Sequence, residues 1–346
     1  MELLRTEPVL EVVEHAYDVE VPTAAWLESI RRAAESAFED HVAVQAYTFD
    51  VTPEGRFRVN DIASEPFWAE LLVRAHTQAD RSTIRSIYLG GAVRNVRQIL
   101  AGRQDDAGYR ECVRSGIQEI TLSLGMDPGG RGCALVFLQR EAKRLSRGTR
   151  QALERISAHL ASARRLRGGL DAGSSSDQLL SEADAVLTGD GTLLHAERDA
   201  RDPDAQRALR EAARRMDRAR CRGQGASPDE ALGLWRALVD GRWSLIERFE
   251  SDGRRVLVAR QNPPRARKHR ALSEQEQKVV ALLALGHSVK LCAYELGRAE
   301  STTSEIARSA LRKLGLSSRA ELLEMHGALM GAEAQPQARS APCNGD

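Results

Sequence analysis

The chain holds 346 residues, 42% hydrophobic and 29% charged, with a formal net charge of +1 at pH 7. That length suits two or three globular domains of roughly 100–200 residues each, and the composition excludes a largely disordered polymer. No apolar run approaches the ~20 residues of a membrane span, and the opening MELLRTEPVLEVVEHAYDVEV lacks the basic and apolar regions of a signal peptide, so a cytoplasmic protein without membrane contact is expected.

Five cysteines are scattered without a CxxC pair, and His15, His41, His76, His159 and His195 fall into no HxH or HExxH spacing. Neither a disulfide framework nor a metal site is expected, and no cofactor is implied. Charge is uneven along the chain. Residues 265–325 hold 11 Lys/Arg against 7 Asp/Glu, while the rest hold 39 against 42. The positive excess falls where a nucleic-acid partner would need it.

In chain order, residues 1–168 read as one α/β unit. A helix starts at Pro22-Thr23 and carries Trp26, Ile30, Ala34 and Phe38 on one side. HVAVQAYTFD (41–50) alternates like a strand, and SEPFWAELLVRA (64–75) reads as a helix with Ser64 as N-cap and Pro66 in the first turn. TIRSIYLG (83–90) and GCALVFLQR (132–140) read as strands. A long helix over about 145–167 aligns Leu153, Ile156, Leu160 and Ala163, a seam suited either to intrachain packing or to a parallel partner. Gly168-Gly169 and GSSSDQ (173–178) mark a linker spanning 169–178.

A second α+β module covers 179–262. ADAVLTGDGTLLHAE (183–197) and WSLIERFESDGRRVLVARQ (243–261) are hairpin patterns turning at Asp190-Gly191 and Asp252-Gly253. Between them one helix starts at Asp202-Pro203, with Leu209, Ala212, Ala213 and Met216 on one side, and another at Ser227-Pro228. Trp235 and Trp243 are expected in this module's core. The order β-β-α-α-β-β suggests an antiparallel sheet with helices on one face. A basic tether (263–270), an all-α domain (271–329) and a tail disordered by composition (330–346) complete the chain.

The all-α segment resembles the LuxR/FixJ-type helix-turn-helix family. Leu272, Ser273, Glu276 and Val279 match its opening pattern. Gly286, Lys290, Ala293, Leu296, Gly297, Ser301 and Thr302 follow in order. The closing motif is whole as Lys313, Leu314, Gly315, Ser318, Arg319, Glu321 and Leu322. The segment departs from the family at Leu291-Cys292, where Glu-Ile is usual, and at Thr303, Glu305 and Ile306. Residues 1–168 resemble GAF-type sensors, through the strand at 132–140 and the long helix after it. Residues 179–262 resemble a pared-down PAS-type module. The fold class is thus multidomain α+β, with antiparallel-sheet sensor modules ahead of a four-helix DNA-binding domain.

The resemblance implies a transcriptional regulator that binds double-stranded DNA as a homodimer, by a shift of population between presentations to half-sites about one helical turn apart. Lys290, Arg312 and Lys313 would contact phosphates. Ser301 and Thr302 would cap the recognition helix, whose N-terminus favours phosphate. Ser304, Glu305 and Arg308 would face base edges. Leu322, Leu323 and Met325 would supply the dimer contact. A small-molecule or protein signal is expected at the N-terminal modules, with RNA polymerase as a further candidate partner. Tyr47, Phe49, Phe67, Trp68 and Tyr88 form a local aromatic group that would either line a ligand pocket or pack the core.

No receiver domain is expected, because no lysine precedes Lys143. A W-x-x-x-Y signature and a Walker A loop are also absent from the sequence. No nucleophile–base pair or paired carboxylate supports an enzyme. Two alternatives stay open: a helix-turn-helix that serves protein contacts without DNA, and an enzyme hidden in residues 1–168.

Overall fold

A computed structural model describes residues 6–19, 21–52, 55–103, 105–126, 130–169, 183–221, 243–249, 255–261, 272–314, 316 and 318–323. The expected helix start at Ser227, Trp235, the turn at Asp252-Gly253, the linker from residue 170 onward, the basic tether and the tail lie outside the described residues.

The first unit is built on a five-stranded antiparallel sheet of β1 (Ala43–Val51), β2 (Phe57–Ala63), β3 (Val93–Asn95), β4 (Glu119–Met126) and β5 (Arg131–Gln139), in the order β2-β1-β5-β4-β3. Strand alternation assigns side chains to opposite faces. Val44, Ala46, Cys133, Leu135 and Phe137 face one core, while Tyr47, Phe49, Ala134, Val136 and Leu138 face another. The central strands β1 and β5 are therefore buried on both sides, which explains the unbroken apolar run of β5.

Three helices cover the first face: α1 (Thr6–Ala16), α2 (Thr23–Ala37) and α7 (Arg147–Gly169). Leu153, Ile156, Leu160 and Ala163 of α7 are all buried in this core. Gly125 of β4 lets the helix come close: a Cβ built there would lie 2.5 Å from the carbonyl oxygen of Ser157. Ser123 Oγ donates to the carbonyl of Leu153 at 2.8 Å. Intrachain packing thus occupies the heptad-like seam and leaves none of it for a parallel partner.

The second face is covered by α3 (Pro66–Gln78), α4 (Arg81–Tyr88), the short α5 (Val96–Ile99) and α6 (Ala107–Arg114). Two expectations are corrected here. Residues 83–90 form no strand, because α4 spans Arg81–Tyr88. The carboxylate of Asp80 caps it by accepting from the Thr83 amide, and Thr83, Ile84, Ile87 and Tyr88 are buried at helical spacing. Ser64 is not the cap of α3: Glu65 occupies that position without a side-chain bond, and Ser64 Oγ accepts from Gln45 Nε2.

The second unit is a four-stranded antiparallel sheet. Its hairpins β6–β7 (Ala185–Thr188, Leu193–Ala196) and β8–β9 (Trp243–Phe249, Arg255–Gln261) join edge to edge as β7-β6-β9-β8. Gly191 takes φ +88 in the first turn, a conformation that favours glycine. Helix α8 (Pro203–Cys221) buries Leu209, Ala212, Ala213 and Met216, and Trp243 is buried as expected. No helix among the described residues is long and apolar enough to cross a membrane.

Candidate nucleic-acid interface

Three C-terminal helices follow: α9 (Glu274–Ala284), α10 (Val289–Glu295) and α11 (Glu300–Lys313), with a further helical stretch over 319–323. Ser273 and Glu276 form a capping box at the start of α9, and Ser288 caps α10 by accepting from the Leu291 amide at 3.1 Å. Leu282, Leu283, Cys292, Leu296, Ala307, Ala310 and Leu322 close a core beneath them.

Glu276 organises this domain beyond its own cap. Its carboxylate also accepts from Ser309 Oγ and from Lys313 Nζ, each at 2.8 Å. The Lys313 ammonium foremost, and then the Ser273 amide, hold its pKa at about 2. Lys313, expected on a phosphate, is therefore an internal strut between the two ends of the domain. Ser309 is drawn inward in the same way.

Helix α11 is the recognition helix of the motif, and its reading face differs from the expected one. Its N-cap is Ala299, with no side-chain bond, so Ser301 and Thr302 sit inside the first turn and do not cap it. Both are exposed. Thr303 is fully buried and its hydroxyl donates to the Ala299 carbonyl at 3.0 Å. Ile306 packs half-buried against the core. Two of the three departures from the family on this helix are thus interior substitutions. Ser301, Glu305, Arg308 and Arg312, spaced 4, 3 and 4 apart, form one solvent-facing stripe, with Ser304 half-buried beside it.

Helix α10 faces inward, against the first unit. Leu291 and Tyr294 are buried in the core that contains α7. Glu295 Oε1 accepts from both Nη atoms of Arg165 at 3.2 Å, with side-chain exposures of 0% and 6%. His287 Nδ1 lies 3.5 Å from the other carboxylate oxygen. Burial alone would raise the Glu295 pKa, but His287 and Arg165 outweigh it and hold the carboxyl below its ordinary range. Tyr294 Oη lies 2.7 Å from His159 Nε2, whose Nδ1 lies 3.3 Å from Tyr17 Oη. Arg155 stacks over the Tyr294 ring.

A second contact lies at the turn after α9. Gly286 has φ +86, and a Cβ there would lie 2.6 Å from the backbone of Gly90 and Gly91. Arg319 of the closing motif donates to the Gly286 carbonyl at 2.5 Å, which ties the family's terminal signature to this turn. Lys290 is exposed, but it lines a cleft of about 150 Å³ with Gln151, Glu154 and Arg155 of α7 and Arg298.

The remaining site expectations fall as follows. Leu322 is 2% exposed and belongs to the domain's own core, so it offers no surface for a dimer. Leu323 is half-buried, and Met325 lies outside the described residues. Tyr47, Trp68 and Tyr88 line a common cavity on the second face of the five-stranded sheet. Phe67 does not join them: it is 53% exposed, one residue along α3 from Trp68 and pointed to solvent. Phe49 packs in the core beside Tyr88.

Sequence reasoning missed the α7–α10 contact altogether. One signal was available. Leu291 stands where the family usually carries a glutamate, and an apolar side chain at a normally charged surface position marks a covered surface.

This arrangement defines the class of the C-terminal domain: a helix-turn-helix closed by a further short helix. Residues 270–326 match the model of the bacterial regulatory proteins of the luxR family, about a sixth of the chain. Two solved structures resemble the whole chain faintly. Escherichia coli SdiA shares 10% identity over 91% of this chain and 94% of that one, with a TM-score of 0.24. SdiA in complex with octanoyl-rac-glycerol shares 11% over 97% and 92%, again at 0.24. A likeness at that score carries no argument here. No curated protein matches the chain.

Proposed function

We propose that the chain is a DNA-binding transcriptional regulator whose two antiparallel-sheet units, GAF-like and PAS-like, take a signal that α7 passes to the helix-turn-helix. One observation carries the DNA reading. The luxR-type domain leaves Ser301, Glu305, Arg308 and Arg312 as an exposed stripe on its recognition helix, while its other faces are packed. Arg308 and Arg312 supply the charge for phosphate and base-edge contacts, and Glu305 selects for an amino donor such as that of cytosine. Two copies on half-sites about one helical turn apart would complete the assembly. No catalytic step enters this reading.

Support for signal transfer comes from packing order. The five-stranded sheet has a cavity on one face and α7 on the other, and α7 carries Arg165 and His159, the groups that hold α10. A ligand that shifts the sheet therefore acts on the helix that holds the DNA-binding domain. The burial of α10 on α7 also favours a second reading, in which the helical domain serves protein contacts only. Sequencing of DNA fragments retained by the full chain separates the two: a recovered common motif supports the regulator, and fragments no different from the input library select the protein-contact reading.

A further inference from the structure

The cavity between the five-stranded sheet and helices α3, α4 and α6 is the most built feature of the first unit. Its volume is about 60 Å³, room for roughly five waters at the ~10–15 Å³ that each requires. Five waters fill about as much liquid as the ~150 Å³ apolar cavity that holds benzene. Leu71, Leu72, Ile87, Leu122, Val136 and Leu138 contribute its apolar wall.

The few polar groups on the wall have their protons committed. His76 Nδ1 lies 2.7 Å from the Leu72 carbonyl, so that nitrogen carries the hydrogen. Burial keeps the ring neutral, with its pKa lowered to about 4. Nε2 must then accept, and its partner at 2.7 Å is Tyr88 Oη. Tyr88, having donated there, accepts from Tyr47 Oη at 2.5 Å. The chain of protons thus ends on Tyr47, whose oxygen retains a lone pair and has no hydrogen left to give. Gln45 repeats the pattern: Nε2 donates to Ser64 Oγ and to the Trp68 carbonyl, leaving Oε1 as an acceptor. The Asp106 carboxylate is saturated by the amides of Asp80 and Tyr109 and by the Thr83 hydroxyl. On the sheet side, the cavity therefore offers acceptors and no uncompensated charge.

We propose that this cavity binds a small neutral molecule of single-ring size that presents one hydroxyl or N–H donor to Tyr47 Oη and Gln45 Oε1. The assignment rests on the sensor reading above and names the chemistry of its ligand. A carboxylate would meet two acceptors in an apolar wall, and an ammonium would lose its hydration for two neutral oxygens; both are excluded by the cost of burying an unpaired charge.

The test uses the full chain with phenol, fluorobenzene and benzoate as probes, read by Trp68 fluorescence and by calorimetry. Phenol and fluorobenzene are of similar size, but only phenol donates. Phenol should bind about tenfold tighter than fluorobenzene, the order of one net hydrogen bond, and benzoate should not bind. Tyr47→Phe should shrink that ratio and leave fluorobenzene unaffected. Tyr88→Phe frees the Tyr47 hydrogen and should raise affinity for benzaldehyde, an acceptor. Absence of binding by any neutral ring, equal binding of phenol and fluorobenzene, or binding of benzoate overturns the assignment. DNA binding is measured on the same preparation. Salt-sensitive DNA binding without ring binding sinks the ligand and spares the regulator; ring binding without DNA binding does the reverse.

Discussion

The two helices of the helix-turn-helix, α10 and α11, differ in what they touch. From Leu291 to Glu295, α10 is buried without a break, and the partners of Tyr294 and Glu295 lie on α7. Helix α11 is twice as long but buries only Thr303, Ala307 and Ala310, and its outer stripe meets no other part of the described chain. Adjacent helices of one small domain are thus divided between holding and reading. A change on α10 should alter how the domain is held, and a change on the outer face of α11 should alter only what it binds.

The largest expected effect is on the holding side. Glu295→Ala leaves Arg165 buried without its partner and should destabilise the chain by about 3–5 kcal/mol, seen as an earlier thermal transition. Pairing it with Arg165→Met should recover most of that stability. If the double variant is no more stable than Glu295→Ala alone, the pair is not what holds α10.

Acidification should attack the same contact. Burial foremost, and Arg155 next, lower the His159 pKa from 6.5 to about 3. The unfolded chain therefore binds a proton that the folded chain refuses, and stability must fall as pH drops from 6.5 toward 3. The Glu276 carboxyl, lowered from 4.5 to about 2, adds stability present above pH 4.5 and lost as pH falls toward 2. Hydrogen exchange of α7 and α10 should accelerate first, across the histidine window, and His159→Phe should flatten that part of the profile.

On the reading side, Glu305→Gln removes a negative charge from the stripe. It should tighten DNA binding and relax selectivity at one base position, with no change in thermal stability; a lower thermal transition would place Glu305 in the fold. Lys290→Ala should lower the slope of log affinity against log salt by roughly 0.9 if Lys290 leaves its cleft for a phosphate. An unchanged slope keeps it on α7. The smallest effect is expected for Tyr294→Phe, which removes one buried hydrogen bond and should cost about 1 kcal/mol, measured by denaturant unfolding.

Legibility in the sequence followed the range of the interactions. The helix-turn-helix was readable because its signals are local: the Ser273–Glu276 box, Gly286 at positive φ, and the closing motif with Arg319. The β1, β5 and hairpin strands were readable from alternation and turn residues. Residues 83–90 were misread because Thr, Ile and Tyr favour strands, whereas the deciding group, the Asp80 cap, lies just outside the segment. Thr303 and Ile306 looked like reading-face departures because their burial depends on the packing of α11 against α9 and α10. The α7–α10 contact was invisible for a plainer reason. Arg165 and Glu295 are 130 residues apart, and no one-dimensional spacing connects them.

The most direct measurement is the affinity of the purified chain for a mixed-sequence DNA duplex, followed by fluorescence anisotropy across a series of KCl concentrations. Log affinity should fall linearly with log salt. Arg308→Ala with Arg312→Ala together should reduce the slope by about 2, close to 0.9 for each phosphate left without its arginine, without changing the thermal transition. A flat salt dependence, or a slope that the double variant leaves unchanged, would contradict the account.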